Sequence, residues 1–204
     1  MASASEKQDK QDTQILSAAL IVFREQGFPG ATLEQIAVRA KIDAETVSIR
    51  FRDKGGLLAA LLAAHNPQDA VLAVFDSVEG ESAEDIVRDA MRRMVKVFQQ
   101  NEAFVELAAL DVQFNNGTFV GNMSLKITPK AGALLERLKG TGQLRPVSDA
   151  IMARTLVSLL MGFVLSERAM PQMARMAMRL FPQRAWIDGM VDLLLFGILE
   201  DNAR

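Results

Sequence analysis

The segment Ile15 to Leu58 restricts the fold more than any other: ILSAALIVFREQGFPGATLEQIAVRAKIDAETVSIRFRDKGGLL. It reads as three short amphipathic helices and the start of a fourth. Ile15, Ala19, Val22, Phe23 and Gln26 make one stripe at helical spacing, from about Asp12 to Gln26. Gly27 stops that helix at the position where φ > 0 carries no Cβ penalty, and Phe28 folds back onto its last turn. Thr32 and Gln35 form a T-x-x-Q capping box that opens the second helix, with Leu33, Ile36, Ala37 and Ala40 inward. Lys41 and Ile42 make the turn. Asp43 caps the third helix, whose inward residues are Val47 and Phe51, and Asp53 caps the fourth. Two helices joined by so short a turn are the mark of a helix-turn-helix, which places its second helix in the major groove of DNA.

The remaining chain is also helical by pattern. Asn66-Pro67 breaks the fourth helix, because proline cannot donate the backbone bond there. Helices are expected over about 83–100, 102–114, 119–139 (with Pro129 bending it) and 148–169. A short one comes next over 171–181, and a last one over 184–201. No strand alternation, repeat or low-complexity tract is visible. The expected class is all-α: residues 1–11 a flexible arm, 12–58 a three-helix helix-turn-helix head, and 59–204 a larger helical domain for ligand binding and dimerisation, about nine helices in all.

Composition excludes several functions. Half of the 204 residues are apolar, enough for a real core. There is no cysteine, so thiolate catalysis, disulfides and Cys-based metal sites are absent, and the single histidine, His65, builds no usual metal site alone. No cofactor is expected. No nucleophile–base pair or phosphate loop argues for an enzyme. The polar start MASASEKQDKQD lacks a secretory core, and no apolar run is read as long enough to cross a bilayer. A cytoplasmic protein without a membrane partner is expected. The net charge is −2, and residues 1–64 balance eight cations against eight acids. DNA binding then depends on where charges point rather than on their number.

Several stretches resemble the TetR family of transcriptional repressors: ILSAALIVFREQGF, ATLEQIAVRAKID, FRDKGGLL and the later GQLRPVSDAIMARTLVSLLMGF. The resemblance implies a homodimer that binds a palindromic double-stranded DNA operator and releases it when a small molecule enters the larger domain. It also implies that Lys54, at the start of the fourth helix, contacts phosphate. Some positions depart from the family pattern. Lys41 replaces the turn glycine, at a left-handed cost of roughly 1 kcal/mol. Ser48 and Arg50 stand where the recognition helix usually carries aromatic or histidine side chains, and Glu45 stands where a glycine is frequent.

The residues expected at DNA are Thr32, Lys41, Ala44, Glu45, Thr46, Ser48, Ile49, Arg50 and Lys54. Arg50 suits phosphate or guanine. The Gly55-Gly56 pair would let a phosphate approach the helix N-terminus. Lys7 and Lys10 are tail charges with a minor-groove role as the alternative. For a ligand cavity the candidates are Phe98, Phe104, Leu107, Phe114, Phe119, Met123, Met161 and Phe163, with Glu106, Asp111, Gln113 and Asn122 as polar contacts. Apolar rings and flexible thioethers there imply a small apolar effector. The helices 151–165 and WIDGMVDLLLFGIL are too apolar for one-sided burial. Paired with their copies they would form a four-helix bundle, with Gly162, Gly189 and Gly197 allowing close approach. The glycine pair and the Pro67 break make the fourth helix a candidate lever. The alternative from another class is a dimeric ligand- or protein-binding module of the same fold with weakened DNA binding.

Overall fold

A computed structural model describes residues 4–178 and 180–196. Among them the chain is all α, with no strand. The eleven helices are α1 Ala4–Gly30, α2 Leu33–Ala40, α3 Ala44–Phe51, α4 Lys54–Ala64, α5 Gln68–Ser77, α6 Ala83–Gln100, α7 Glu102–Phe114, α8 Thr118–Gly140, α9 Asp149–Ala169, α10 Gln172–Met178 and α11 Gln183–Phe196. Ten of these match stretches expected from the sequence, the short 171–181 one included, and the eleventh is α5, because the break at Pro67 makes two helices of one. The expected end of the last helix at Asp201, and Gly197, lie outside the described residues.

The chain divides into two compact units. The first comprises residues 1–66 together with 103–123, and the second residues 67–102 and 124–204. The sequence pattern ends the head at residue 58 and assigns it nothing from later in the chain. Residues 4–11, expected as an arm, form the opening turns of α1.

In the first unit α1 packs on α2 and α4, and α3 on α2 and α4. The core is Ile15, Ala19, Val22, Phe23, Ile36, Ala37, Ala40, Val47, Leu57, Leu58, Leu61 and Leu62, all buried. Burial of such side chains contributes roughly 1.5–3 kcal/mol for each large one against full exposure. The caps form as the residue types require. The Thr32 hydroxyl accepts from Gln35 N at 3.2 Å, and the Gln35 carboxamide oxygen accepts from Thr32 N at 2.9 Å. Asp43 receives Thr46 N, and Asp53 receives Gly56 N at 2.9 Å. Gly27 takes φ 71° and kinks α1, so that Phe28 reaches back to Phe23 with ring centroids 5.0 Å apart.

The later residues of this unit join the same cluster. Phe114 stacks on Phe28 at 4.9 Å, and Arg24 pairs with Glu106 at 2.8 Å. Asp111 is fully buried, the one charged side chain that is so among the described residues. Its carboxylate accepts from Asn115 Nδ2 at 2.7 Å and Val120 N at 3.0 Å, holding the Asn115-Asn116-Gly117 turn between α7 and α8. The turn itself needs φ > 0 at Asn116 and Gly117.

In the second unit α6 is central and packs against α5, α9 and α11. Its inner stripe is Ile86, Val87, Met91, Met94, Val95 and Phe98. The α6–α11 seam is ionic along one edge. Arg88 bonds Glu84 at 2.6 Å and also reaches Asp192, while Arg92 bonds Asp188 at 2.5 Å. Two stretches, Lys54–Ser77 and Asp149–Ala169, are long and apolar enough to cross a membrane by length and composition alone, where the sequence leads one to expect no such run. The first is two helices whose apolar residues include the buried Leu57, Leu58, Leu61, Leu62, Val71 and Val74. The second, α9, buries only Leu160, Phe163 and Val164.

Candidate nucleic-acid interface

The turn before α3 fixes how that helix is presented. Lys41 adopts the left-handed conformation, φ 55° and ψ 42°, and its N–H reaches the carbonyls of Ala37 and Val38. This closes α2 as a glycine would, with a lysine side chain left exposed. Asp43 then caps α3. Its carboxylate accepts from the Thr46 hydroxyl and from Thr46 N, both at 2.6 Å. The hydroxyl bond first, then the backbone bond, hold the Asp43 carboxyl below its ordinary range. Asp43 is therefore an anion committed to the cap, and Thr46 is half-buried beside it rather than extended outward.

The outward side of α3 consists of Glu45, Ser48 and Ile49, with Ala44 partly covered and Val47 buried. Ile49 is 77% exposed, an unusual place for an isoleucine on an eight-residue helix. Thr32, at the start of α2, is exposed but occupied by its capping box.

Two expected DNA contacts are instead tied into the protein. The Arg50 guanidinium bonds the Asp12 carboxylate, Gln11 Oε1 at 2.8 Å and the Gln8 carbonyl at 3.2 Å, and its side chain is only 18% exposed. Helical periodicity places Arg50 on the outside of α3. The first turns of α1, expected as a mobile arm, cover that side. Lys54 is also engaged: its ammonium bonds the carbonyls of Phe28 and Pro29 at 2.9 and 3.0 Å and lies 5.3 Å from the Phe28 ring centre. A cation on the last carbonyls of α1 satisfies groups that the helix leaves unpaired.

Replacing Arg50 with alanine should accordingly destabilise the first unit by about 1–2 kcal/mol, because Asp12 and Gln11 lose a charged partner in a partly covered site. Thermal melting of R50A checks this. An unchanged midpoint together with lost DNA affinity would restore Arg50 to the surface role.

The other cations of this unit sort into two sets. Arg24 pairs with Glu106, and Arg39 makes a two-pronged pair with Glu25 at 2.5 and 3.0 Å. Lys7, Lys10, Lys41 and Arg52 are exposed and make no ion pair or side-chain hydrogen bond with any described residue. Arg52 is not among the residues expected at DNA. Its sequence context, the single residue between Phe51 and the Asp53 cap, is the available signal.

The eight ligand-cavity candidates do not converge within either unit. Phe104, Leu107, Phe114, Phe119 and Met123 belong to the first unit, and Phe98, Met161 and Phe163 to the second. Phe98, Phe104, Leu107, Met123 and Phe163 are core-buried, and Phe114 is committed to Phe28. Among the described residues two surface grooves stand out. One lies between α6 and α11, about 480 Å³, lined by Arg92, Val95, Lys96, Gln99, Gln183, Arg184 and Ile187. The other, about 540 Å³, lies between α1 and α2. None of the eight candidates lines either one. Of the expected polar contacts, Glu106 and Asp111 are taken by Arg24 and by the α7–α8 turn.

Comparison with known proteins agrees with this head. Residues 15–61 match the family model of bacterial regulatory proteins, tetR family. Solved structures share the fold over nearly the whole chain. A TetR family transcriptional regulator, PfmR from Thermus thermophilus, aligns with TM-score 0.68 at 17% identity, covering 91% of this chain and 99% of its own. SCO3833 from Streptomyces coelicolor, a member of the TetR transcriptional regulator family, aligns with TM-score 0.63 at 22% identity, covering 91% of each chain. FadR from Bacillus subtilis, solved in complex with stearoyl-CoA, aligns with TM-score 0.65 at 14% identity, covering 92% of this chain and 99% of its own. No curated protein matches by sequence.

Proposed function

We propose that this chain, a tetR-family head on the fold of TetR-family transcriptional regulators, is a ligand-responsive DNA-binding repressor that works as a homodimer on a palindromic operator in the cytoplasm. The observation that carries this reading is the outward face of α3. A capped helix-turn-helix leaves Glu45, Ser48 and Ile49 exposed while Val47 anchors the helix beneath. An apolar side chain so exposed on a recognition helix suits the methyl group of thymine, and a carboxylate suits the cytosine amino group. Two heads would read half-sites about 34–36 Å apart.

An effector shifts this binding by preferring one of two states of the dimer. We propose that this effector is small and largely apolar. Stearoyl-CoA, present in the Bacillus subtilis neighbour, joins an apolar chain to a large anionic headgroup, so it and the free fatty acid are the first compounds to try. No catalytic activity is proposed, since regulators of this kind are generally non-enzymatic.

The capture of Arg50 and Lys54 within the head favours a second reading, a dimeric binding module that has lost DNA affinity. Selection of bound fragments from random double-stranded DNA at low salt separates the two. The repressor reading expects an enriched inverted repeat whose binding falls steeply with salt. It further expects that replacing the thymine nearest Ile49 by deoxyuridine, which deletes only the methyl, weakens binding several-fold, and that I49A abolishes the difference. No enrichment above a non-specific control favours the module instead.

A further inference from the structure

Resting on the reading of this head as DNA-binding, we propose that Arg52 is a DNA phosphate contact, for which the head retains a backbone strain that glycine would relieve. Arg52 caps α3 with φ 66° and ψ −61°. Asp53 N donates to Phe51 O at 2.8 Å across it, so Arg52 is the middle residue of a γ-turn in its φ-positive form. That form is rare and strained for any residue with a Cβ. Glycine would adopt it without penalty.

The side chain at 52 contributes nothing to the fold that would offset this. It is exposed and has no ion pair or side-chain hydrogen bond with any described residue. The two cations nearest to it in the chain, Arg50 and Lys54, are both held by internal partners. At the other end of α3 the same pattern recurs. Lys41 is left-handed and exposed, and it has no ionic partner among the described residues. The recognition helix is thus bracketed by two such cations, each at a backbone position better suited to glycine. Strain that the fold does not need points to function. Of the four exposed cations of this unit without an ionic partner among the described residues, these two are the ones that stand at the ends of α3, where phosphates would flank it; Lys7 and Lys10 lie on α1.

The test compares the wild-type chain with R52G and R52K by thermal melting and by binding to two duplexes, the selected site and a scrambled one, across a salt series. R52G should melt about 2–4 °C higher, as expected for relief of left-handed strain in a chain of this size. It should bind both duplexes more weakly, with the log–log salt slope reduced by about 0.9 per subunit. R52K should keep the wild-type slope, since a phosphate accepts either cation. An R52G slope equal to wild type, or loss confined to the selected site, overturns the proposal while leaving the DNA-binding reading intact. Lower melting of R52G overturns the argument from strain. A wild-type chain that retains neither duplex removes both readings together.

Discussion

Gly56→Ala is expected to cost the first unit about 3–5 kcal/mol and to abolish DNA binding, one of the larger effects a single methyl group can have. A Cβ at position 56 would stand 1.9 Å from Phe51 O and 3.0 Å from Phe51 C. The obstacle is backbone, so no side-chain rotation relieves it. Nor is Phe51 O free to retreat, because it accepts the Asp53 N–H that closes the γ-turn around Arg52. The tight turn drives that carbonyl towards the first turn of α4, and only glycine leaves room for it. A shift there disturbs the Asp53 cap, whose carboxylate accepts from Gly56 N itself. It also moves the base of a helix whose Leu57, Leu58, Leu61 and Leu62 are the heart of the core. Gly55→Ala is the matched control. Its Cβ would meet only Asp53 Oδ1, the cap oxygen, at 3.1 Å, and a side chain can give by a few tenths of an ångström where backbone cannot, so a loss well below that of G56A is expected. Circular dichroism melts of the two variants decide it: G56A melting with G55A would leave the close approach without consequence. In sequence the glycine pair suggests cleared space for a phosphate, but the requirement at 56 is internal.

That difference shows which parts of this head are legible in sequence. Helix starts are, because their signals are local. Thr32 with Gln35, Asp43, Asp53, Ser82 and Ser148 each make the cap their residue type and spacing imply. Gly27 and Lys41 take φ > 0 where the periodic stripes end. The inward faces follow from the 3.6-residue period, except that Gln26 is exposed and Leu33 and Phe51 are only half-buried. The partners of outward polar residues do not. Periodicity places Arg50 on the outside of α3 but cannot say that α1 begins at Ala4 and brings Gln8, Gln11 and Asp12 to meet it. A polar segment rich in Lys, Asp and Gln fits a tail as well as an exposed helix when its tertiary partner is unknown. The same limit hides the association of α7 with the head. By residue type Phe114 suits a cavity wall, whereas it covers Phe28, and their long separation in the chain leaves no local trace of that contact.

The second large effect is expected at α11. The proposed dimer requires an apolar surface that one chain cannot bury, and α11 carries one. Ile187 and Val191 face its own unit, while Trp186, Leu193 and Phe196 are 38%, 54% and 59% exposed, with Gly189 and Met190 between them on the same side. On α9, Ile151, Val157 and Leu165 are exposed as well. Gly162 and Gly189 sharpen the argument. A glycine inside a helix costs roughly 0.5–1 kcal/mol, and a Cβ at either position would touch nothing within 4 Å among the described residues. Nothing among the described residues calls for their small size, whereas a second pair of helices crossing here would. Leu193→Asp is therefore expected to convert a dimer to a monomer in sedimentation while leaving the monomer folded, since position 193 supports no internal core. An aspartate there would have to enter the bundle without a partner, at a cost the interface cannot carry. Because the two heads then bind independently, operator affinity should fall by about 10²–10⁴-fold, with the loss largest for the full palindrome and small for an isolated half-site. A wild-type chain that sediments as a monomer would remove the dimer altogether, and L193D that stays dimeric with full affinity would place the subunit contact somewhere other than α9 and α11.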